Sequence, residues 1–242
     1  MDGMILAAGR GTRLLPITEG LPKALVEIGG VPLLHRTIGR LVAAGCDRIV
    51  VNMHHHAGQI EDALAAGVWP GTEIFRSLEP EGPLETGGGL KQARHLFRGD
   101  RTILLHNVDV LSSIDLRRLA HENEASGALA TLAVNRRRAS RQLVFDDSGL
   151  CGRIDMRTGI EDWVRTPRVG EWRAGFTGIQ ALSPEILSRL TEDGAFSIMR
   201  PYLRLAAAGA RILPHDITGD RWMDVGTPER LEAAREAWTQ GA

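Results

Sequence analysis

An apolar segment that runs directly into a glycine-containing turn, with cations close behind it, constrains this chain more than any other feature. Residues 4–6 are apolar, Gly9 and Gly11 follow them, and Arg13 and Lys23 supply positive charge. Because the glycines lack a Cβ, the backbone can approach an anion closely and present its N–H groups to it. Arg13 can bind phosphate oxygens through two parallel hydrogen bonds, and Lys23 adds a mobile point charge. The segment therefore predicts a strand, a turn and a polyphosphate site.

Two better-known phosphate loops do not fit this segment. A Walker A loop ends in Gly-Lys-Ser or Gly-Lys-Thr, whereas Gly11 is followed by Thr12 and Arg13. A dinucleotide-binding fingerprint requires a third glycine where this chain has Leu14. The structural alternative is an ordinary connection between a strand and a helix with incidental basic residues.

The same segment resembles the signature of the sugar-1-phosphate nucleotidyltransferases, also called nucleotide-sugar pyrophosphorylases. That family has Leu-Ala-Ala-Gly-x-Gly-Thr-Arg-Leu near its N-terminus and then Pro-Lys, which this chain matches at 6–14 and 22–23. The resemblance implies transfer of a nucleoside monophosphate from a nucleoside triphosphate to a sugar 1-phosphate. The residues of this segment that it places at the nucleotide are Leu6, Ala7, Ala8, Gly9, Gly11, Thr12 and Arg13.

The composition is that of an ordinary globular chain. Its 242 residues can bury a substantial core, with 43% hydrophobic and 24% charged residues. A formal net charge of -1 provides no global field for nucleic acid or an anionic membrane, so phosphate binding must be local. Cys46 and Cys151 are too few for a disulfide framework. With no signal-peptide pattern and no apolar run of about 18 residues, the expected location is the cytoplasm.

Alternating strand and helix patterns in the first half predict an α/β fold with a mostly parallel sheet and helices on both faces. The second half has a hairpin pattern around the polar turn 146–149. We expect a Rossmann-like mixed sheet with a small hairpin-rich part, which in the resembled family is the nucleotide-diphospho-sugar transferase fold. One domain is expected over 1–242. Its nucleotide-binding half is 1–134, and its sugar-binding half, with the second metal ligand, is 135–242.

The individual elements follow from periodicity and from start and stop signals. Ser112 or Ser113 is expected to cap the fourth helix. Helices are predicted at 32–44, 57–66, 86–96, 115–126, 197–208 and 228–238, with another starting at 183–185. Strands are predicted at 3–6, 48–52, 73–77, 102–106, 128–134, 142–145, 150–154, 173–182 and 211–213.

A second glycine-rich segment, 79–90, opens the third helix. Three glycines at a helix start would let a flat base lie against the main chain. In the resembled family this segment contacts base and ribose, so Gly87, Gly88 and Glu79 are candidate nucleotide contacts. The sequence of residues 83–89 resembles that of the subgroup that transfers uridylate to N-acetylmuramate 1-phosphate. A similar sequence also occurs in forms near the guanylyltransferases for mannose and heptose 1-phosphates. A flexible loop is the structural alternative.

Two aspartates stand in contexts that suit a Mg²⁺ site. Asp109 follows an apolar strand, and Asp224 lies in a Trp-Met-Asp-Val-Gly-Thr-Pro segment. Mg²⁺ prefers a few carboxylates with phosphate oxygens and water, and the resembled family uses both positions for one Mg²⁺. The family has Gly before the first Asp, whereas this chain has Val108, which adds bulk but removes no ligand. Asn107 is expected at the nucleotide. Either Asp alone would be read as a turn or cap residue.

The sugar side carries weaker signals. The segment 176–179 matches a Phe-Ser/Thr-Gly-Ile strand that lines the family's sugar pocket. Thr177 and Gly178 of this segment are candidate sugar contacts, together with Gly152, where relatives use a glycine N–H for the sugar, and Glu161. Many relatives also hold the sugar phosphate with the Lys of a Glu-Lys-Pro motif, and this chain has no lysine there.

Several arginines could replace that lysine. Arg165 is one candidate, and Arg136, Arg137, Arg138 and Arg141, which follow Asn135, are others. A solvated basic loop is the favoured interpretation for most of them. Three adjacent histidines, His54, His55 and His56, cannot all point one way, so a structural role is favoured over a metal site.

The implied reaction needs no general base, because a phosphate monoester with a second pKa of about 6 is already largely dianionic at neutral pH. Arg13, Lys23 and Asp109 form the expected catalytic set. Arg13 would hold the β- and γ-phosphates, and Lys23 would bridge the α-phosphate and the sugar phosphate. The expected partners are a nucleoside triphosphate, UTP above others, and a sugar 1-phosphate. Neither nucleic acid nor membrane is expected, and the family's dimers and tetramers leave a homo-oligomer open.

Two other functions remain open from the sequence. One is a nucleotidyltransferase with another acceptor, such as a molybdopterin or a polyol phosphate. The other is a regulator that binds a nucleotide sugar without catalysis. Loss of Arg13, Lys23 or a metal Asp would favour the regulator, and all of them are present.

Overall fold

The computed structural model describes residues 1–137, 139–168 and 170–239, so Arg138, considered above for the sugar phosphate, lies outside the described residues. Within these ranges the chain forms fourteen strands: β1 (Asp2–Leu6), β2 (Glu27–Ile28), β3 (Val31–Pro32), β4 (Arg48–Met53), β5 (Glu73–Leu78), β6 (Ile103–Asn107), β7 (Val110–Ser112), β8 (Ala130–Asn135), β9 (Arg141–Asp146), β10 (Gly149–Asp155), β11 (Ile160–Trp163), β12 (Trp172–Leu182), β13 (Ile212–Asp216) and β14 (Trp222–Asp224). The α-helices are α1 (Leu33–Ala44), α2 (Ala57–Ala66), α3 (Glu85–Ala93), α4 (Leu116–Ser126), α5 (Ile186–Arg189), α6 (Met199–Ala207) and α7 (Pro228–Thr239). Short 3-10 helices occur at Thr12–Leu14, Lys23–Leu25 and Arg94–Leu96.

A ten-stranded mixed sheet runs through both halves of the chain. Its order is β11-β10-β9-β12-β6-β1-β4-β5, with β8 paired to β12 and β13 paired to β8. β1 pairs in parallel with β4 and β6, and β4 pairs in parallel with β5. The long strand β12 pairs antiparallel with β6 near one end and with β9 near the other, so the hairpin strands extend the same sheet. The expected α/β fold with a mixed, mostly parallel sheet is confirmed.

Helices pack against both faces of this sheet. Successive side chains of a strand point to opposite faces, and on β1 Met4 and Ile5 accordingly enter different cores. The core around Ile5 includes residues of α1, α2, α4 and α7, and the core around Met4 includes residues of α3, α5 and α6. None of the helices built by the described residues is long and apolar enough to cross a bilayer.

The start of α4 differs from the prediction. Asp115 is its N-cap, and its carboxylate accepts a hydrogen bond from the Arg118 backbone N–H at 3.0 Å. The predicted cap at Ser112 or Ser113 is wrong, because Ser112 ends β7 and Ser113 continues its pairing through a backbone bond to Arg221 at 2.9 Å. Asp is as good a helix cap as Ser, so pattern alone did not separate them.

The sequence patterns do not predict the short antiparallel ladder between β7 and β14. Each strand has three residues, too few for a clear alternating pattern. The ladder pairs Val110 with Asp224, and the Val225 N–H donates to the Asp109 carbonyl at 2.8 Å. Two aspartates that are far apart in sequence therefore lie on neighbouring backbone segments.

Candidate active site

A pocket opens at the carboxyl ends of the parallel strands β1, β4 and β6, where ligands of open α/β sheets bind. The register aligns Leu6 with Asn52 on one side and with Asn107 on the other. The pocket has a volume of about 270 Å³, close to the lower end of the range for small-molecule sites. Its lining residues are Leu6, Ala7, Ala8, Gly9, Gly11, Thr12, Arg13, Lys23, Asn52, Pro83, Glu85, Thr86, Asn107, Val108, Asp109 and Gly226. Every residue predicted from the N-terminal signature lies here, together with Asn107 and Asp109.

The turn after β1 requires glycine at position 11. Gly11 has a φ of 65°, and a Cβ there would lie 3.1 Å from the Thr18 side chain and 3.3 Å from the Lys23 Cβ. The Gly11 carbonyl also accepts the Thr18 hydroxyl at 2.8 Å. This close approach holds Lys23 against the turn, where its side chain is nearly buried and its Nζ donates to Asp109 Oδ2. A cation and a carboxylate thus meet on the pocket wall.

Asp224 approaches the pocket from the other half of the chain, two residues before the lining residue Gly226. Its Oδ2 accepts a hydrogen bond from Arg230 at 2.5 Å. A Cβ at Gly226 would touch Asp224 Oδ1 and would lie 3.0 Å from Nη2 of Arg13. Arg13 and Asp224 are therefore neighbours around Gly226, although they stand near opposite ends of the sequence.

The carboxylates of Asp109 and Asp224 have the ligand chemistry that suits a divalent cation. Asp224 Oδ1 is buried and has no hydrogen-bond partner among the residues that the structure describes. A buried, unpaired carboxylate oxygen is costly unless it binds a cation or a donor. Nowhere in 1–137, 139–168 and 170–239 do three or more His, Cys, Asp or Glu side chains form a group that could hold a metal ion. Phosphate oxygens and water would therefore complete the coordination, as Mg²⁺ prefers.

A buried hydrogen-bond chain connects the loop after β1 to the loop after β5. The Ala7 N–H donates to Asn52 Oδ1 at 2.6 Å, and Asn52 Nδ2 donates to Glu79 Oε1 at 2.7 Å. Glu79 Oε2 accepts the Leu84 N–H at 2.7 Å. Burial raises the pKa of Glu79, and the bonds from Leu84 and Asn52 oppose that effect. Asn52 is a lining residue that the sequence reasoning missed, because nothing distinguishes an Asn at the end of a buried strand until its neighbours are known.

Three of the predicted nucleotide contacts do not line the pocket. Glu79 lies behind it, almost fully buried, and holds the loops as described. The N–H groups of Gly87 and Gly88 both donate to the Phe196 carbonyl, at 2.9 and 3.2 Å, so they are not available to a base. The first residues of α3 that line the pocket are instead Glu85 and Thr86. The structure therefore does not support direct base contacts by Glu79, Gly87 or Gly88.

The strand predicted to face the sugar lies beside the pocket. The Gly178 Cα borders Asn107, because a Cβ there would lie 2.6 Å from Asn107 Nδ2. The Thr177 hydroxyl is buried and donates to the Ala133 carbonyl at 2.7 Å, so it serves the sheet. The Thr177 carbonyl accepts the Trp222 indole N–H at 3.0 Å, which fixes the indole on this wall.

Gly152 and Glu161 lie farther out on the hairpin strands β10 and β11. Gly152 pairs with Trp163 across the ladder, and a Cβ there would lie 2.8 Å from the Asp162 carbonyl oxygen. Glu161 is exposed and accepts the Trp163 indole N–H at 2.8 Å. Neither residue lines the pocket, so their contacts with a sugar stay predictions.

Arg165 does not supply a free charge for the sugar phosphate. Its guanidinium donates to both oxygens of Asp146, whose side chain is fully buried, and to the Gly149 carbonyl at 3.1 Å. These bonds, with others from Arg168 and Ser148, hold the pKa of Asp146 well below its ordinary range. Arg165 therefore closes the hairpin between β9 and β10.

The three histidines, His54, His55 and His56, have different surroundings. His54 Nδ1 lies 2.8 Å from the Glu79 carbonyl oxygen, and the rings of His55 and His56 are 3.9 Å apart. His56 has a left-handed φ of 55° and precedes α2. The segment therefore turns the chain from β4 into α2 and supports the loop that contains Glu79.

The sequence of this chain matches a family profile and proteins from other organisms. The sequence profile of the nucleotidyl transferase family matches residues 2–144. A protein of Neisseria meningitidis serogroup B named N-acetylmuramate alpha-1-phosphate uridylyltransferase is 35% identical over 236 residues, which cover 97% of each chain. A protein of the same name from Caulobacter vibrioides is 34% identical over 244 residues, covering 96% of this chain and 94% of the other.

Comparison with solved structures agrees with the fold. A UDP-glucose pyrophosphorylase from Acinetobacter baumanii superposes with a TM-score of 0.79 at 18% identity, over 98% of this chain and 92% of the other. Similarity at this level of identity shows the fold alone. It is the nucleotide-diphospho-sugar transferase fold that the sequence predicted.

Proposed function

Because the chain belongs to the nucleotidyl transferase family, we propose that it transfers uridylate from UTP to N-acetylmuramate 1-phosphate and releases pyrophosphate. The observation that carries this proposal is the pocket in which the glycine turn, Arg13, Lys23 and Asp109 meet. The choice of substrates rests on the two uridylyltransferases that this chain resembles over nearly its whole length.

The residues of this chain act by positioning two polyanions. The acceptor phosphate oxygen attacks the α-phosphorus of UTP, a new O–P bond forms, and the bond to the β-phosphate bridging oxygen breaks to release pyrophosphate. Lys23, held beside Asp109, binds the α-phosphate and reduces repulsion between the reactants. Arg13 binds the β- and γ-phosphates and the departing pyrophosphate through its guanidinium. The acceptor is already dianionic near neutral pH, so no side chain has to remove a proton.

Asp109 and Asp224 are the residues that would hold Mg²⁺. When bound, Mg²⁺ neutralises charge on the phosphate oxygens. Two observations support this assignment: Oδ1 of Asp224 is buried with no partner among the residues that the structure describes, and Asp109 lies on the pocket wall. A chelator is expected to abolish turnover, and added Mg²⁺ to restore it.

The division of labour follows the two halves of the chain. Residues 1–134 contain the nucleotide pocket except for Gly226. We propose that 135–242 contribute the acceptor side and the second metal ligand.

The test is pyrophosphate release with Mg²⁺, with UTP, GTP, CTP and dTTP each combined with N-acetylmuramate, mannose, glucose and heptose 1-phosphates. The expected result is release with UTP and N-acetylmuramate 1-phosphate at a kcat/KM well above that of any other pair. A maximum with GTP and mannose or heptose 1-phosphate would replace the proposed substrates with those of a guanylyltransferase. No release with any pair, while UTP still binds in calorimetry, would contradict the proposed reaction and favour another acceptor or a regulator without catalysis.

A further inference from the structure

The acceptor side of the site has to bind a dianionic phosphate, and most of its candidate cations already have partners. Arg136 donates to Asp216 at 2.8 Å, and Arg141 donates to Asp155 at 3.2 Å. Arg165 is engaged by Asp146, as described above. Each of these guanidiniums is held by a carboxylate that offsets its positive charge, so these three are poorer candidates for binding a second anion.

Arg137 differs from these neighbours. Its guanidinium carbon lies 3.9 Å from the centroid of the Trp222 ring, a stacking arrangement that holds the side chain in place. Its Nε is buried and has no hydrogen-bond partner among the residues described by the structure. Burial lowers the pKa of Arg137, and nearby Asp224 opposes this effect. A buried, unsatisfied donor on a charged group is costly, so it indicates a ligand.

The position of Arg137 follows from the strand β14. Trp222 and Asp224 are two residues apart on that strand, so their side chains lie on the same face. The indole is fixed through its bond to the Thr177 carbonyl. Arg137, stacked on Trp222, therefore stands beside Asp224, whose Oδ1 is also buried without a partner in the described part of the chain.

A donor and an acceptor that have no partner in the described part of the chain thus lie near each other without satisfying each other. We propose that Arg137 binds the phosphate of the sugar 1-phosphate, a phosphate monoester dianion, next to Asp224 and the pocket-lining residue Gly226. Nε and one Nη of a guanidinium can bind two oxygens of such a phosphate in parallel. This assignment rests on the proposed function, because it gives the acceptor of that reaction its binding cation.

The packing around Gly175 agrees with the proposed position of Arg137. A Cβ at Gly175 would lie 2.8 Å from the Ala139 Cβ and 3.8 Å from the Arg137 Nε. Glycine on β12 therefore lets Ala139 lie close to the sheet, with the Arg137 side chain beside the strand that carries Thr177.

The experiment compares Arg137→Ala with Arg136→Ala. Both arginines belong to the same loop and stack on a tryptophan, since Arg136 lies over Trp172 at 4.3 Å, but the Arg136 guanidinium is paired with Asp216. Steady-state kinetics are measured with UTP, Mg²⁺ and N-acetylmuramate 1-phosphate, varying each substrate in turn. Arg137→Ala is expected to raise the KM for the sugar phosphate about tenfold or more, with the KM for UTP within about twofold of wild type. Arg136→Ala is expected to leave both constants within about twofold.

Two more variants separate binding from packing. Arg137→Lys keeps the charge but not the two-pronged geometry, so it should recover part of the lost affinity. Arg137→Gln keeps bulk over Trp222 without charge, so it should raise the KM for the sugar phosphate as Arg137→Ala does. It still provides this measurement if the alanine variant unfolds. Unchanged sugar-phosphate KM in both uncharged variants, or a lower kcat with both KM values unchanged, would overturn the assignment. If the wild-type protein shows no turnover with any sugar phosphate, the proposed function fails and this inference fails with it. If the wild-type protein turns over normally and the variants keep its sugar-phosphate KM, only the role of Arg137 is wrong.

Discussion

The proposed nucleotide side and the proposed acceptor side of the site are built by different means. On the nucleotide side, the pocket is lined by short runs of consecutive residues at the ends of parallel strands, and small residues expose backbone groups. On the acceptor side, long side chains reach between antiparallel strands and most are engaged in ion pairs, such as Arg165 with Asp146 and Arg153 with Asp162. The first arrangement is local in sequence, whereas the second depends on which charges meet.

A sequence reveals a site built from a local turn more readily than a site built from side chains that reach across strands. A turn that binds phosphate with its backbone needs particular residue types at fixed spacing, because only glycine permits the required conformation and approach. A cation that reaches across strands can come from many positions, and its availability depends on its partners. Arg136, Arg137 and Arg165 look alike in sequence but have different surroundings.

The largest effect is expected at Asp109, the proposed metal ligand on the pocket wall. Asp109→Asn keeps an oxygen that can accept from Lys23 but removes the negative charge, so the fold should persist while kcat falls by about 1,000-fold or more. Pyrophosphate release at saturating substrates measures it. The matched control, Asp62→Asn on the exposed face of α2, should retain wild-type turnover. Turnover near the wild-type level in Asp109→Asn would mean that this aspartate is not a metal ligand.

The next effect separates stability from catalysis on the acceptor side. Asp146→Asn removes the buried partner of Arg165 and should reduce the free energy of unfolding by about 3 kcal/mol or more, with little change in the KM for UTP. Denaturant unfolding measures the loss, and the exposed neighbour variant Asp147→Ala should lose far less. A loss no greater than that of the control would contradict the structural role.

The same carboxylate predicts a pH dependence. Because the pKa of Asp146 is lower in the folded state than in the unfolded chain, its stabilisation is complete above the unfolded value of about 3.9. It decreases as the pH falls below that value, so wild type should lose more stability than Asp146→Asn between pH 6 and pH 3. Parallel pH profiles for the two proteins would rule out this contribution.

A smaller effect is expected at the nucleotide side from Arg13. Arg13→Ala should lower kcat/KM for UTP by about 10- to 100-fold, because a charged hydrogen-bonding group to the phosphates is lost. Arg10 lies in the same turn but does not line the pocket, so Arg10→Ala should change kcat/KM less than about threefold. Equal values for the two variants would remove Arg13 from the phosphate site.

The smallest effect concerns the buried support behind the pocket. The wild-type carboxylate accepts hydrogen bonds from Asn52 Nδ2 and from the Leu84 N–H. In Glu79→Gln the amide N–H₂ group would face one of these two donors. We expect a loss of about 1–2 kcal/mol in stability and a modest rise in the dissociation constant of UTP. Calorimetry and unfolding measure both, with exposed Glu81→Gln as the control. Weakened UTP binding at unchanged stability would instead favour the direct contact predicted from the sequence.

The α/β fold, the positions of most strands and helices, and the residues that line the pocket after β1 could be predicted from the sequence alone. Those features depend on local periodicity and on one residue with an unusual backbone requirement, Gly11. A metal site shared by Asp109 and Asp224 stays a prediction that rests on a resemblance, because no local rule connects positions so far apart.

The tertiary structure alone decided which polar groups are free. It joined Asn52 and Glu79 in one buried chain, paired the N–H groups of Gly87 and Gly88 with the Phe196 carbonyl, and left Nε of Arg137 without an acceptor among the described residues. A donor or acceptor that is satisfied inside the protein is less available to a ligand, and which groups are satisfied depends on packing between strands and loops. The order of residues does not display that packing.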